Sequence, residues 1–303
     1  VMTATTSDPQ QQLQTLRDWV RWGASLFMAK GIFYGHGTDN ALDESLALVL
    51  HAVGLDHTLP EPFLDTRVTT AEAQKVETLL QRRVDERVPL AYLIGQALFA
   101  GYNFIVTPDV LVPRSPIAEL ILDAFQPWVD PDSLEHVLDL CTGSGCIGIA
   151  TALQLPDTEV DLADISPAAL KIAKQNIERH WLGERVRAVE SDLFDGLGGK
   201  QYNLIVSNPP YVSSDEYAAL PGEYHSEPKL GLEAGADGLD IVRRILSQAH
   251  DHLLPGGVLI VEVGSATGAL VEAFPELPFV WLEFEYGGDG VFLLNKADLA
   301  DFG

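Results

Sequence analysis

The chain has 303 residues, enough for one large α/β domain and a smaller one. Hydrophobic side chains make up 47% of it, which argues against disorder, and no apolar run approaches the roughly 18 residues of a membrane span. A formal net charge of −25, from 44 acidic and 19 basic residues, disfavours a broad nucleic-acid footprint and attracts a basic protein, while leaving room for a local basic patch.

The opening octapeptide Val1–Asp8 has no basic stretch followed by an apolar one, so no secretory leader is expected. Cys141 and Cys146 cannot build a disulfide framework, and the expected compartment is the cytoplasm. Their five-residue spacing, without paired His or Cys, gives no metal site.

Residues 1–95 read as a small helical domain. Leu13, Leu16, Trp19, Val20, Leu26 and Phe27 recur at helical spacing. A second helix fits Leu42 to Val53, with Asp39 or Asn40 as its cap and Gly54 as its stop. A third fits Ala71 to Val84, opened by Thr69 or Thr70. None of these stretches carries a catalytic constellation.

The texture changes near Gly95. Strand-like runs at Leu98 to Val106 and Val110 to Val112, separated by Thr107-Pro108-Asp109, predict a β-hairpin linker over residues 96–115. Pro116 then opens a helix running to about Ala124. From His136, strands and helices alternate. Strands are expected at Val137 to Cys141, Glu159 to Ala163, Val186 to Glu190, Leu204 to Ser207 and Val258 to Val263. Helices fit Gly148 to Leu155, Pro167 to Arg179 and Leu239 to Leu254. Such alternation implies a mainly parallel sheet covered on both faces, here over residues 116–303. Phe279 to Glu285 and Gly290 to Leu294, joined at Gly287-Gly288-Asp289, add an antiparallel pair at its edge.

The first expected strand runs into a glycine-rich turn, Asp139-Leu140-Cys141-Thr142-Gly143-Ser144-Gly145. Gly143, Gly145 and Gly148 fit a dinucleotide fingerprint, and Asp164 lies 21 residues after Gly143, where it can hold ribose hydroxyls. A nicotinamide-dependent dehydrogenase is therefore one reading. Asp139, four residues before Gly143, gives a pyrophosphate nothing but favours a cationic ligand such as the sulfonium and amino-acid part of S-adenosylmethionine. After the third strand, Asp192 and Leu193 offer a carboxylate and an apolar neighbour for an adenine ring. The arrangement favours a methyltransferase, with Asp139, Cys141, Thr142, Gly143, Ser144, Gly145, Asp164, Asp192, Leu193 and Asn208 as cofactor residues.

The fourth strand leads directly into Asn208-Pro209-Pro210-Tyr211. The carboxyl end of an open sheet is where such folds bind ligands. The Asn208 side-chain oxygen and the Pro209 carbonyl can each accept one N–H of a planar nitrogen, holding it toward a methyl donor. Pro210 stiffens the loop, and Tyr211 can lie against a flat acceptor. Asn208, Pro209 and Tyr211 are the candidate catalytic residues. The tetrapeptide does not distinguish a glutamine amide from a DNA adenine amine, which would have to leave the base stack. A binding module without activity would leave both loops unexplained.

Several segments together resemble the protein N5-glutamine methyltransferases over essentially the whole chain. They are Phe99-Ala100-Gly101, Val110 to Pro116, Asn208 to Tyr211, Glu227 to Leu232, Gly235 to Leu239 and Trp281 to Phe284. The resemblance implies a Rossmann-like class I methyltransferase domain, an N-terminal substrate-recognition domain, S-adenosylmethionine, and N5 methylation of a glutamine in a protein. It also implies that Phe99 borders the acceptor pocket. Pro113-Arg114-Ser115-Pro116 resembles the branch that modifies a large-subunit ribosomal protein, whereas release-factor enzymes usually continue as Pro-Arg-Pro. Two residues keep two readings each. Arg114 orients the hairpin or touches substrate, and Glu227 belongs to the acceptor site or pairs with a basic group. His225 reads as a surface or packing residue.

Overall fold

Capping side chains set the helix boundaries of the first part of the chain. The structure, a computed structural model, describes residues 9–300; the octapeptide considered above for a leader and the last three residues lie outside the described residues. A short helix α1 (Pro9–Gln12) precedes α2 (Leu16–Ala29). The Thr15 hydroxyl accepts the Asp18 N–H at 3.1 Å, and the Asp18 carboxylate accepts the Thr15 N–H at 3.0 Å, satisfying two otherwise unpaired donors. Asn40 caps α3 (Ala41–Val53), and left-handed Gly54 stops it. Thr69 and Glu72 form a second capping box on α4 (Thr70–Asp85). The five-residue α5 (Leu90–Ile94) is too short to announce itself by periodicity.

Trp19, Phe27, Leu48, Val76 and Leu80 are fully buried between these helices. A Cβ at Gly23 would stand 2.2 Å from the Ser45 hydroxyl, so glycine permits the close approach of α2 to α3. A distant stretch, Pro221–Ser226, also belongs to this compact unit, although the sequence places it within the continuous run 116–303. The reason is charge. Arg83, 1% exposed, is held by Glu44, Glu223 and the Phe33 carbonyl, and Glu223 also accepts from Arg87 at 3.1 Å. A buried guanidinium needs such partners, and helix α4 alone supplies none.

The second unit comprises Gln96–Leu220 and the chain from Glu227 onward. Strands β1 (Gln96–Phe99) and β2 (Tyr102–Ile105) pair antiparallel across Ala100 and Gly101, whose φ values are 46° and 81°. The hairpin therefore turns at Ala100-Gly101, not at the expected Thr107-Pro108-Asp109, because two consecutive left-handed residues match the twist of the paired strands. Val110 to Val112 is not a strand; the Val112 N–H is taken by the Glu227 carboxylate at 2.9 Å instead of by a ladder.

Helix α6 (Ile117–Leu122) follows Pro116, and the alternating elements come next. They are β3 (His136–Leu140), α7 (Cys146–Gln154), β4 (Glu159–Asp164), α8 (Pro167–Arg179), β5 (Val186–Glu190) and β6 (Tyr202–Ser207). After a short α9 (Ser214–Ala219) come α10 (Asp240–His252), β7 (Leu253–Glu262), α11 (Thr267–Ala273), β8 (Val280–Trp281) and β9 (Val291–Asn295). The sheet runs β5-β4-β3-β6-β7-β9-β8; β9 is antiparallel to both β7 and β8, so it alone runs against the other strands, as expected of a Rossmann-like class I methyltransferase domain.

Alternation along the strands divides the core in two. Val137, Leu204, Val206, Val258 and Ile260 face one side; Leu138, Leu140, Ile205, Leu259 and Val261 face the other. By the same period, Asp139 and Glu262 lie on the first face. The chain leaves β3 for β4 and β5, then returns to β6 on the other side of β3. That reversal opens a crevice at the carboxyl ends of β3 and β6.

Candidate active site

Register brings the two sequence-predicted loops together. Leu140 pairs with Ser207, so the turn after β3 and the tetrapeptide after β6 begin side by side. Both border one cavity. Cys141, Thr142, Gly143, Ser144, Asp164, Asp192, Leu193, Asn208, Pro210 and Tyr211 line it. Asp139, Gly145, Pro209 and Phe99 do not.

The three glycines of the first loop differ in task. Gly143 has φ of 54°, and nothing lies within 4 Å of where a Cβ would stand, so its main chain is open to a ligand. Gly145, with φ of 82°, caps α7, and a Cβ there would meet Ile149 at 2.9 Å. At Gly148 a Cβ would lie 2.2 Å from Leu162, so this glycine lets α7 pack on the sheet.

Asp139, expected to face the cofactor, sits beneath the loop at 1% exposure because its place on β3 aims it at the start of α7. Its Oδ2 accepts from the Thr142 hydroxyl at 2.5 Å and the Gly148 N–H at 2.9 Å. Its Oδ1 has no hydrogen-bond partner among the described residues. Burial pushes its pKa up to about 7, against these two donors.

The opposite wall carries Asp164, which accepts the Gly143 and Ser166 N–H groups, each at 2.8 Å. Burial raises its pKa. Ile165, half exposed, and Leu193, with φ of 50°, bring apolar surface to this wall. Asp192 pairs with Arg244 of α10 at 2.9 Å. Cys141 also has positive φ, 58°, so two non-glycine residues at the cavity hold a backbone shape that costs energy. Burial raises the Cys141 thiol and pushes Cys146 up to about 12, so both stay protonated.

The loop after β6 was less legible. Asn208 and Tyr211 border the cavity, Pro210 is a buried part of its wall, and Pro209 is buried behind it. Behind them stands Glu262, 5% exposed, which sequence reasoning did not single out. Its Oε2 accepts from the Ser115 hydroxyl at 2.5 Å and its Oε1 from the Tyr211 hydroxyl at 3.2 Å. Burial pushes Glu262 up to about 7; Ser115, Tyr211, Arg114 and the Asn208 side chain pull it down. A charged residue closing an apolar strand run was the only available sequence signal.

Arg114 and Glu227, left open above, are each other's partners. Both guanidinium nitrogens reach the Glu227 carboxylate at 2.6 Å, and Arg114 also lines the cavity. Phe99 is corrected. It is buried in the hydrophobic core, edge-on to Phe104 at 6.4 Å, because the alternation of β1 turns it inward. A further unforeseen residue, Asn176 of α8, donates to the Ser144 carbonyl at 2.9 Å and the Ile105 carbonyl at 3.0 Å. It ties the glycine loop to the hairpin.

Residues 118–220 match a family model described as Methyltransferase small domain. The chain is 47% identical over 291 residues to a ribosomal protein uL3 glutamine methyltransferase of Francisella tularensis subsp. tularensis, covering 96% of this chain and 93% of the relative. It is 49% identical to the protein of that name from Xanthomonas campestris pv. campestris, with coverage of 98% and 96%. A Neisseria gonorrhoeae protein of the same name is 48% identical, with coverage of 95% and 97%.

Proposed function

Because the chain belongs to the ribosomal protein uL3 glutamine methyltransferases, we propose that it methylates the side-chain amide nitrogen of a glutamine in uL3 with S-adenosylmethionine. One observation carries the reading: the glycine loop after β3 and the Asn208–Tyr211 loop after β6 open on the same cavity. The open main chain at Gly143 fits a ligand that must approach the backbone closely. Asp164 holds the ribose hydroxyls, Ile165 and Leu193 flank the adenine, and Asp192 accepts from its exocyclic amine. Cys141, Thr142 and Ser144 border the amino-acid end, while Asp139 and Gly145 shape the loop from behind.

When bound, S-adenosylmethionine supplies the methyl group of its sulfonium, the N–C bond forming as the C–S bond breaks and an amide proton leaves. An amide nitrogen is a poor nucleophile, so placement and charge stabilisation are what the protein contributes. The Asn208 side-chain oxygen and the Pro209 carbonyl accept the two N–H groups and stabilise positive charge growing on nitrogen. Tyr211 flanks the amide plane, and Pro210 keeps the loop stiff. The helical unit and the hairpin choose the protein partner. A net charge of −25 suits a basic ribosomal protein better than a polyanion, and the cytoplasm, where such proteins are made, is the fitting compartment.

The test is to incubate the enzyme and methyl-labelled cofactor with uL3, a release factor and DNA in parallel, and to map label by mass spectrometry. Label is expected on a uL3 glutamine. Label confined to the release factor would move the enzyme to the sister substrate, and label confined to DNA would overturn the reading.

A further inference from the structure

We propose that Glu262 is a positioning residue that fixes the amide orientation of Asn208, so that the Asn208 side-chain oxygen, and not its NH2, faces the acceptor. The inference rests on the reading of Asn208 as the holder of the glutamine amide.

Register supplies the placement. Ser207 pairs with Val261, so the next residues on the two strands, Asn208 and Glu262, are neighbours. The buried carboxylate is surrounded by donors. Ser115 gives its hydroxyl at 2.5 Å and Tyr211 its hydroxyl at 3.2 Å, and the neighbouring Asn208 side chain favours the ionised carboxylate. The charged or titratable groups facing it are Arg114, itself clamped by Glu227, and the Tyr211 phenol. On the antiparallel strand its register partner is apolar Val291.

An ionised carboxylate accepts and cannot donate. Its neighbour Asn208 must therefore offer NH2 to it, which leaves the carbonyl oxygen for the cavity. The two ends of an asparagine amide have the same shape, so shape alone does not select one. In the flipped orientation Asn208 would point NH2 at the NH2 of the incoming glutamine, two donors with no acceptor between them. The same carboxylate holds Tyr211 and Ser115, and so joins the acceptor loop to the segment before α6.

Protonation turns Glu262 from acceptor into donor. Burial has brought that event to about pH 7, within the working range. Asp139 titrates in the same region, but beneath the cofactor loop, so saturating cofactor separates the two.

The experiment measures kcat at saturating cofactor with a uL3 glutamine substrate, from roughly pH 6 to roughly pH 8. Wild-type kcat is expected to rise with pH and level off above about 7. Glu262→Gln imitates the protonated state. It is expected to lower kcat at the alkaline end about 100-fold, to leave cofactor affinity and substrate KM little changed, and to abolish the pH dependence. Wild-type kcat in the variant, or a loss that keeps the wild-type pH dependence, would overturn the proposal. Should the variant fail to bind cofactor, the wild-type profile decides, and a flat one overturns it. Asn208→Ala is run alongside. Normal turnover there defeats the reading of Asn208 itself, whereas an inactive Asn208→Ala beside an unaltered Glu262→Gln defeats only the role of Glu262.

Discussion

Asp139 is buried with one oxygen satisfied twice and the other without a partner among the described residues. Its folded-state pKa, about 7, stands well above the ordinary 3.8, so the fold favours the protonated form. The stability gained from that preference is fully present below about pH 4 and is lost as pH rises through about 7. Asp139→Asn removes the titration but keeps one acceptor for Thr142 or Gly148. The stability difference between wild type and variant, measured by urea unfolding without cofactor, is expected to shift against the wild type between about pH 4 and about pH 7. A constant difference across that range would show that Asp139 is not buried as a high-pKa acid. Sequence reasoning found this residue from its spacing to Gly143. Its direction stayed hidden, because spacing along a strand does not say which helix covers which face.

At the scale of elements, glycines decide how closely α7 approaches the sheet. An alanine at Gly148 would put its Cβ 2.2 Å from a methyl of fully buried Leu162 and 3.0 Å from the Asp139 Cβ. The helix must move, taking with it the Gly148 N–H that Asp139 accepts. Gly148→Ala is expected to destabilise by about 1–3 kcal/mol and to weaken cofactor binding, read by urea unfolding and titration calorimetry. Gly143→Ala meets open space and carries only the left-handed backbone penalty, about 1–2 kcal/mol. Its larger effect is expected on the cofactor. Equal losses of stability and affinity in both variants would contradict the division of roles. Most elements were legible from period and caps, with β5 and α8 matching their expected limits at both ends. The hairpin turn was misplaced because Ala100 takes a left-handed shape that its residue type does not advertise.

For the molecule as a whole, a charge of −25 attracts any basic region of a protein substrate at long range. Raising ionic strength from roughly 0.05 M to roughly 0.5 M shortens the screening length several-fold. KM for intact uL3 is expected to climb several-fold while kcat holds, whereas KM for a short uncharged glutamine peptide stays flat. Parallel behaviour of both substrates would remove charge from the account of partner choice.

The sequence by itself determined what is local. Period and caps placed the helices and strands, and a glycine turn after one strand and Asn208 to Tyr211 after another marked the two loops that line the cavity. Each of those signals lies within a few residues of its cause, where backbone sterics and hydrogen-bond geometry act. Only the tertiary structure decided which side chains share a wall. Arg114 meets Glu227 across 113 residues, Glu262 meets Ser115 across 147, and Arg83 draws Glu223 into the helical unit across 140. Burying a charge demands a partner, but nothing in the chain near Arg114, Arg83 or Glu262 says where that partner comes from; the register of the sheet and the packing around it supply the answer.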